Sequence, residues 1–140
     1  MSTSETLQNL KWQSCIDACM GCAEACELCA TYDVKEHSQT LVQVAEEAAS
    51  AGAPTSADVI QEIVKMMASC VQINRECAAV CWTSAALMSM DSQFAKQFCN
   101  LCADICDTCA QECERHDFDH CRQCAQACRS CAEECRRMSQ

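Results

Sequence analysis

The sequence predicts an all-α protein: an antiparallel up-down-up-down four-helix bundle with a cysteine-lined core and an extended hairpin between helices 1 and 2. Three observations carry this. Fifteen of the eighteen cysteines fall into three runs whose steps alternate between three and four residues, the spacing of one narrow stripe on a helix. Only two glycines and one proline occur in 140 residues, too little punctuation for a sheet-rich chain. The few turn signals divide the chain into four segments with short connections, and short connections make neighbouring helices antiparallel.

The first helix is expected to start near Ser2, where Ser2 and Glu5 have capping-box spacing. It carries Leu7, Leu10 and the run Cys15, Cys19, Cys22, Cys26, Cys29, then continues through Leu41, Val44 and Ala48. AGAPTS, from Ala51, is the Gly-Pro turn signal, and Thr55 or Ser56 is placed to cap a second helix. That helix runs through Val59, Ile63, Met67, Cys70, Cys77 and Cys81 to about Met90, its cysteines in the same phase. Asp91 and Ser92 offer the next cap. The third helix is expected from about Ser92 to Arg115 and carries Cys99, Cys102, Cys106, Cys109 and Cys113. His116 to Asp119 turns the chain, and Asp119 is placed to cap a fourth helix to about Arg137, with Cys121, Cys124, Cys128, Cys131 and Cys135. Residues 30–69 lack cysteine but keep a helical period, so a helical extension beyond the thiol region is expected within a single 1–140 domain. Folding at the turns puts Cys77 and Cys81 level with about Cys29 and Cys26, Cys99 near Cys22, Cys121 beside Cys113 and Cys135 beside Cys99.

Composition excludes several functions. A net charge of −10 makes nucleic acid an unsuitable partner, because phosphate binding needs clustered Lys and Arg. No segment approaches the ~18 uninterrupted apolar residues of a membrane span. The first residues show no basic, apolar leader, so a cytoplasmic protein with reduced thiols is expected. A disulfide scaffold is disfavoured by geometry. Helical residues three or four apart hold their Cβ atoms about 5–6 Å apart, whereas a disulfide wants about 3.8 Å.

Thiols in the positions that a bundle normally fills with Leu and Ile turn a core into a lining, and soft ions are what such linings hold. All eighteen cysteines are therefore candidate ligands. Zinc prefers closed tetrahedral sets from C-x₂₋₄-C knuckles on turns. No proline follows any cysteine, unlike bacterial iron–sulfur ferredoxins. Cu(I) accepts two or three thiolates, so pairs such as Cys15/Cys19 and Cys19/Cys22 can serve it repeatedly along a stripe. Charge points the same way. One Cu⁺ replacing one H⁺ leaves the core's charge unchanged, while four thiolates around each Zn²⁺ leave −2, and stacked sites would repel. Multiple Cu(I) ions at about one per thiol are expected. His116 and His120 flank the last turn beside Cys113 and Cys121, where an ion would come in, and imidazole also binds copper. His37 is read as a surface or hairpin residue, and Asn74, Arg75 and Glu76 as outward-facing. Met66, Met67, Met88 and Met90 lie near bundle ends, where thioethers can pass Cu(I) along but more often fill gaps. No nucleophile triad, phosphate loop or acid–base carboxylate pair appears, so no catalytic residue is expected.

Three stretches carry a family resemblance: CIDACMGCAEAC from Cys15, INRECAAVC from Ile73, and CNLCADICDTCAQECERHDFDHCRQCAQACRSCAEEC from Cys99. The sequence resembles the bacterial copper storage proteins, in particular their cytosolic branch. The resemblance implies a four-helix bundle whose inward cysteines store many Cu(I) ions, usually as a homotetramer, with copper coming in at a bundle end through His residues matching His116 and His120. A copper chaperone or copper-requiring acceptor is the implied partner. Residues 30–69 depart from that pattern. The competing readings are a metallothionein-like zinc buffer, an iron–sulfur electron carrier and an oxidised structural scaffold.

Overall fold

The computed structural model describes the backbone of residues 3–140 and the side chains of residues 11–140. The expected cap at Ser2, and the side chains of Leu7 and Leu10, lie outside the described residues. Four helices follow one another: α1 (Thr3–Ser50), α2 (Ala57–Ser89), α3 (Ala95–Glu114) and α4 (Asp119–Ser139). α1 packs against α2 and α4, and α3 packs against the same two from the opposite corner, while the diagonal pairs meet through side chains at the axis, as Cys22 meets Cys106 (3.9 Å) and Asn74 meets Cys124 (3.3 Å). This is the square up-and-down arrangement that short connections impose.

The α1–α2 connection is set by glycine. Gly52 has φ +67°, a left-handed conformation that costs a residue with a Cβ. It allows Ala53 N–H to donate to Ala48 O (2.9 Å) and Gly52 N–H to Ala49 O (3.1 Å), the paired bonds of a Schellman stop. The α2–α3 corner uses the same bonds, Ser92 N–H to Leu87 O (2.9 Å) and Asp91 N–H to Met88 O (3.0 Å), but the left-handed residue is Asp91 (φ 48°). Asp tolerates this conformation better than most residues. Here its carboxylate also accepts a hydrogen bond from Trp12 Nε1 (3.0 Å), which ties the start of the α1 core to the corner.

The helix starts differ from expectation. α3 begins at Ala95, because Asp91 and Ser92 are used in the corner, where Ser92 Oγ accepts from Phe94 N–H (3.1 Å). Asp119 is the first residue of α4 and not its cap; its carboxylate pairs with Arg122. Ser56 does precede α2, without a side-chain capping bond. Residues 30–50 and 57–69 are helical, as the helical period of the cysteine-free stretch predicts, and Asp33 and His37 lie level with the α3–α4 turn.

The register also needs correcting. Cys77 lies level with Cys22 (Sγ–Sγ 3.9 Å), not Cys29. α1 runs on to Ser50 and the six residues 51–56 run back before α2 starts, so the two helices are not mirrored about the glycine. Cys99 neighbours Cys15 and Cys135 and not Cys22. Its expected partner Cys135 is therefore retained.

Between the four helices, alanines alternate with the cysteines: Ala23, Ala78, Ala103, Ala110, Ala125 and Ala132 are all buried. Small side chains beside the thiols let the helices approach closely, and sulfur fills the axis. Around the outside, Arg129 bridges Asp107 (3.2 Å) on α3 and Glu114 (3.1 Å). Exposed pairs of this kind add little each; burial of the core holds the bundle.

Candidate metal centre

Every one of the eighteen cysteines points inward. All are at most 1% exposed, and all are free thiols. The stripes on the four helices meet and form one column of sulfur. At its lower end Cys135 Sγ lies 3.7 Å from Cys15 and 3.6 Å from Cys19. In the middle, Cys22 approaches Cys128 at 3.6 Å, Cys77 approaches Cys106 at 3.6 Å, and Cys81 approaches Cys102 at 3.6 Å. Higher up, Cys26 lies 3.7 Å from both Cys124 and Cys128. At the top Cys29 meets Cys121 at 3.9 Å, and Cys113 and Cys70 adjoin Cys29. These separations are far beyond a covalent S–S bond of about 2.05 Å. They are contact distances, with several thiols converging on shared points.

Groups of four donors with all ligand atoms within 4.8 Å of one another recur along the column: Cys19, Cys102, Cys131, Cys135; Cys22, Cys81, Cys106, Cys131; Cys22, Cys26, Cys77, Cys128; and Cys26, Cys109, Cys124, Cys128. Consecutive groups share Cys131, Cys22 and Cys26 in turn, so a sulfur at each junction can bridge two ions. Burial opposes ionisation throughout the array, but neighbouring sulfurs divide the thiols. Cys109 pushes Cys26 up and Cys102 pushes Cys81 and Cys135 up, whereas Cys106 pulls Cys77 down and Cys102 pulls Cys131 down. A cation that binds a protonated thiol displaces its proton.

Two polar residues interrupt the column, and sequence reasoning missed both. Asn74, expected to face outward, is fully buried. Its Nδ2 donates to Cys70 Sγ (3.4 Å), and its Oδ1 accepts from Cys109 (3.1 Å), Cys124 (3.3 Å) and Cys113 (3.5 Å). Arg75 and Glu76 are exposed, as expected. Asp33 is also fully buried. Burial, and then the Cys70 thiol beside it, push its carboxyl up to about 6 against an opposing pull from His120. The signal for both was present: Cys70, Asn74, Cys77, Cys81 and Cys29, Asp33, His37 continue the same stripe in steps of three and four. Replacing Asn74 with Ala should destabilise the reduced, metal-free protein by about 1–3 kcal/mol, because three thiols lose their acceptor and a cavity opens. Urea unfolding of wild type and N74A measures it; equal midpoints would remove Asn74 from the column's support.

The upper end is lined by the predicted histidines. His120 Nε2 donates to Asp33 Oδ1 (3.1 Å), and its ring stacks between Tyr32 and Phe118, with centroids at 5.9 and 5.2 Å. His116 is buried, donates to Glu112 Oε1 (3.2 Å), and leaves Nδ1 with no partner among the described residues. His37, read as a surface or hairpin residue, lies on the α1 arm of the hairpin but is buried here too. Its Nδ1 bonds to Asp33 O (2.8 Å) and its ring meets Phe118 edge-on. The reason is the stripe phase it shares with Cys29 and Asp33. Asp117 and Asp119 stay exposed and pair with Arg122, in keeping with turn roles. Of the methionines, Met88 is buried with Sδ 3.6 Å from Cys99, while Met66 and Met90 are exposed.

Residues 35–140 match the sequence profile of the family described as copper storage protein. An uncharacterised cysteine-rich protein of Bacillus subtilis is 37% identical over 108 residues, covering 77% of each chain. Among solved structures, the Cu(I)-bound copper storage protein BsCsp3 superposes with a TM-score of 0.71 at 36% identity, covering 93% of this chain and 99% of that one. A cytosolic copper storage protein from Streptomyces lividans, described with five coppers, gives a TM-score of 0.69 at 26% identity, covering 96% of both.

Proposed function

The chain belongs to the copper storage protein family, and from that premise we infer which of its residues hold the metal. The protein stores Cu(I) as cargo, many ions to a chain. The observation that carries this is the continuous column of buried free thiols, whose fourfold groups share sulfurs along the bundle axis. We propose that all eighteen cysteines bind Cu(I): Cys15, Cys19, Cys22, Cys26 and Cys29 from α1, Cys70, Cys77 and Cys81 from α2, Cys99 to Cys113 from α3 and Cys121 to Cys135 from α4. A soft monovalent ion suits this lining, because each Cu⁺ takes the place of one thiol proton and builds no charge along the axis. His116 and His120 line the end through which ions reach the column, and we assign them to uptake and release. No turnover chemistry is part of this reading.

No described helix is long and apolar enough to cross a membrane. The Streptomyces relative is described as cytosolic, and the same compartment is proposed here, with exchange to a copper chaperone or acceptor. A homo-oligomer, a tetramer by family resemblance, is also part of the proposal. The exposed Val34, Val42, Val59, Ile60 and Val64 give the α1–α2 hairpin an apolar surface suited to contact with other copies.

The test is anaerobic titration of the reduced protein with Cu(I), followed by metal analysis. Filling to about one Cu(I) per thiol, with about one proton released per ion in weak buffer, is the expected result. Saturation near one ion per four thiols, with equal preference for zinc, would overturn it.

A further inference from the structure

The lower end of the column is short of thiols, and α2 is the reason. α1, α3 and α4 carry five cysteines each, whereas α2 carries three. Its inward stripe continues past Cys81 in the same alternating steps, through Ser84 and Met88. Ser84 is 0% exposed and Met88 1%, so both lie in the core, and Ser84 Oγ has no hydrogen-bond partner among the described residues. We propose that Met88 is a copper ligand, and that with Cys99 it closes the column around one Cu(I) held by thiolate and thioether together. The assignment rests on the thiol column being a copper store.

Three observations support it. The first is contact. The Cys99 thiol donates to Met88 Sδ at 3.6 Å, and Cys15 lies 3.7 Å from Cys135, with Cys99 adjoining both. Three sulfurs in a plane around one ion, each at the bond length of about 2.3 Å that zinc thiolates show, stand about 4.0 Å apart. The second is the placing of Met88. Of the methionines whose side chains are described, it alone is buried. Its carbonyl accepts from Asp91 N–H (3.0 Å), and Asp91 is tied in turn to Trp12 (3.0 Å), so the corner holds the thioether against Cys99. The flexibility that suits methionine to filling gaps is restrained here. The third is what the end of a column lacks. Inside the array a thiolate can bridge two ions, because it belongs to two groups. Cys15 and Cys99 stand outside the fourfold groups named above, and Trp12 lies one turn beyond Cys15. An ion bound there has no bridging thiolate on its far side.

A thioether makes good that shortfall without adding charge. It is soft, neutral and carries no proton, whereas the Ser84 hydroxyl is a hard oxygen and a poor donor to Cu(I). On binding, Cys99 gives its proton to solvent, and the ion takes that proton's place between Cys99 Sγ and Met88 Sδ. Cys15 or Cys135 supplies the third sulfur. One thiolate charge still balances one Cu⁺, so this end of the column stays as neutral as its middle.

The experiment puts selenium in the thioether. The full-length chain is made with selenomethionine and with Met20→Leu, Met66→Leu, Met67→Leu, Met90→Leu and Met138→Leu, which leaves Met88 and Met1 as the selenium sites. Leucine for methionine conserves volume, and circular dichroism checks the helix content. After reduction and anaerobic loading with Cu(I), X-ray absorption at the selenium edge reads the neighbours of selenium, and metal analysis reads copper per chain. A copper neighbour at bonding distance is expected on about one selenium in two, and adding Met88→Leu should remove it. A full copper load with no copper next to selenium would overturn the site and leave the storage reading intact. So would a copper neighbour that persists after Met88→Leu. A chain that takes up almost no copper would overturn the storage reading, and this site with it.

Discussion

Loading with Cu(I) should raise the resistance of the bundle to guanidinium by molar amounts. The metal-free core is built from cysteine and alanine, with few of the methylenes that stabilise a leucine core. Each ion bound at a thousandfold over its dissociation constant adds about 4.1 kcal/mol. Two such sites already match the ~5–15 kcal/mol that holds a typical domain together. With an m of about 3 kcal/mol/M, they shift the midpoint by roughly 2–3 M, and a filled column adds more. Circular dichroism of reduced protein, with and without anaerobically added Cu(I), reads the shift. Coincident unfolding curves would mean that the metal sits outside the core, and the assignment of the inward thiols would fall.

The second large effect separates a chain of independent chelates from a shared column. Cys22 lies against Cys26, Cys77, Cys106 and Cys128, and Cys128 lies against Cys22, Cys26 and Cys77. Together these two residues belong to three of the fourfold groups. At the lower end Cys15 adjoins Cys135, Cys19 and Cys99, and Cys99 adjoins Cys15, Cys135 and the Met88 thioether, but neither belongs to the fourfold groups named above. Serine is close to cysteine in size but is a poor ligand for a soft ion. The double variant Cys22→Ser/Cys128→Ser should therefore lose roughly four Cu(I) per chain, and Cys15→Ser/Cys99→Ser only about two, because bridging sulfurs support more than one ion. Native mass spectrometry after loading gives both capacities. Equal losses would show that sulfurs are not shared.

Much of this was legible in the sequence because one rule governs the whole core. A step of three or four keeps a residue on the same helical face, so the cysteine runs announced both the helices and their inward side. Following cysteine alone is what limited the reading. Trp12, Asp33, His37, Asn74, Ser84, Met88 and His116 occupy the next positions on the same stripes, and all are buried. Asn74 was expected outside because it sits between thiol positions on α2, yet its steps of four from Cys70 and three to Cys77 keep it on their face, where four sulfurs partner its amide. The relative heights of α1 and α2 were not legible, since six linking residues can run back by an amount that no local preference sets. The use of Asp91 in a left-handed corner depends on Trp12, which lies 79 residues away in the chain.

The two extremities of the sulfur column are unlike. Trp12, tied to Asp91, sits one turn past Cys15, with the thioether of Met88 against Cys99, whereas acid and imidazole groups surround the opposite extremity. With entry assigned to the histidine end, as proposed above, such a column is expected to fill like a magazine loaded from one side. Ions taken up early would then lie deepest, and the copper that leaves first would be the copper that arrived last. A labelled isotope given late in loading would then be the first to reach an acceptor.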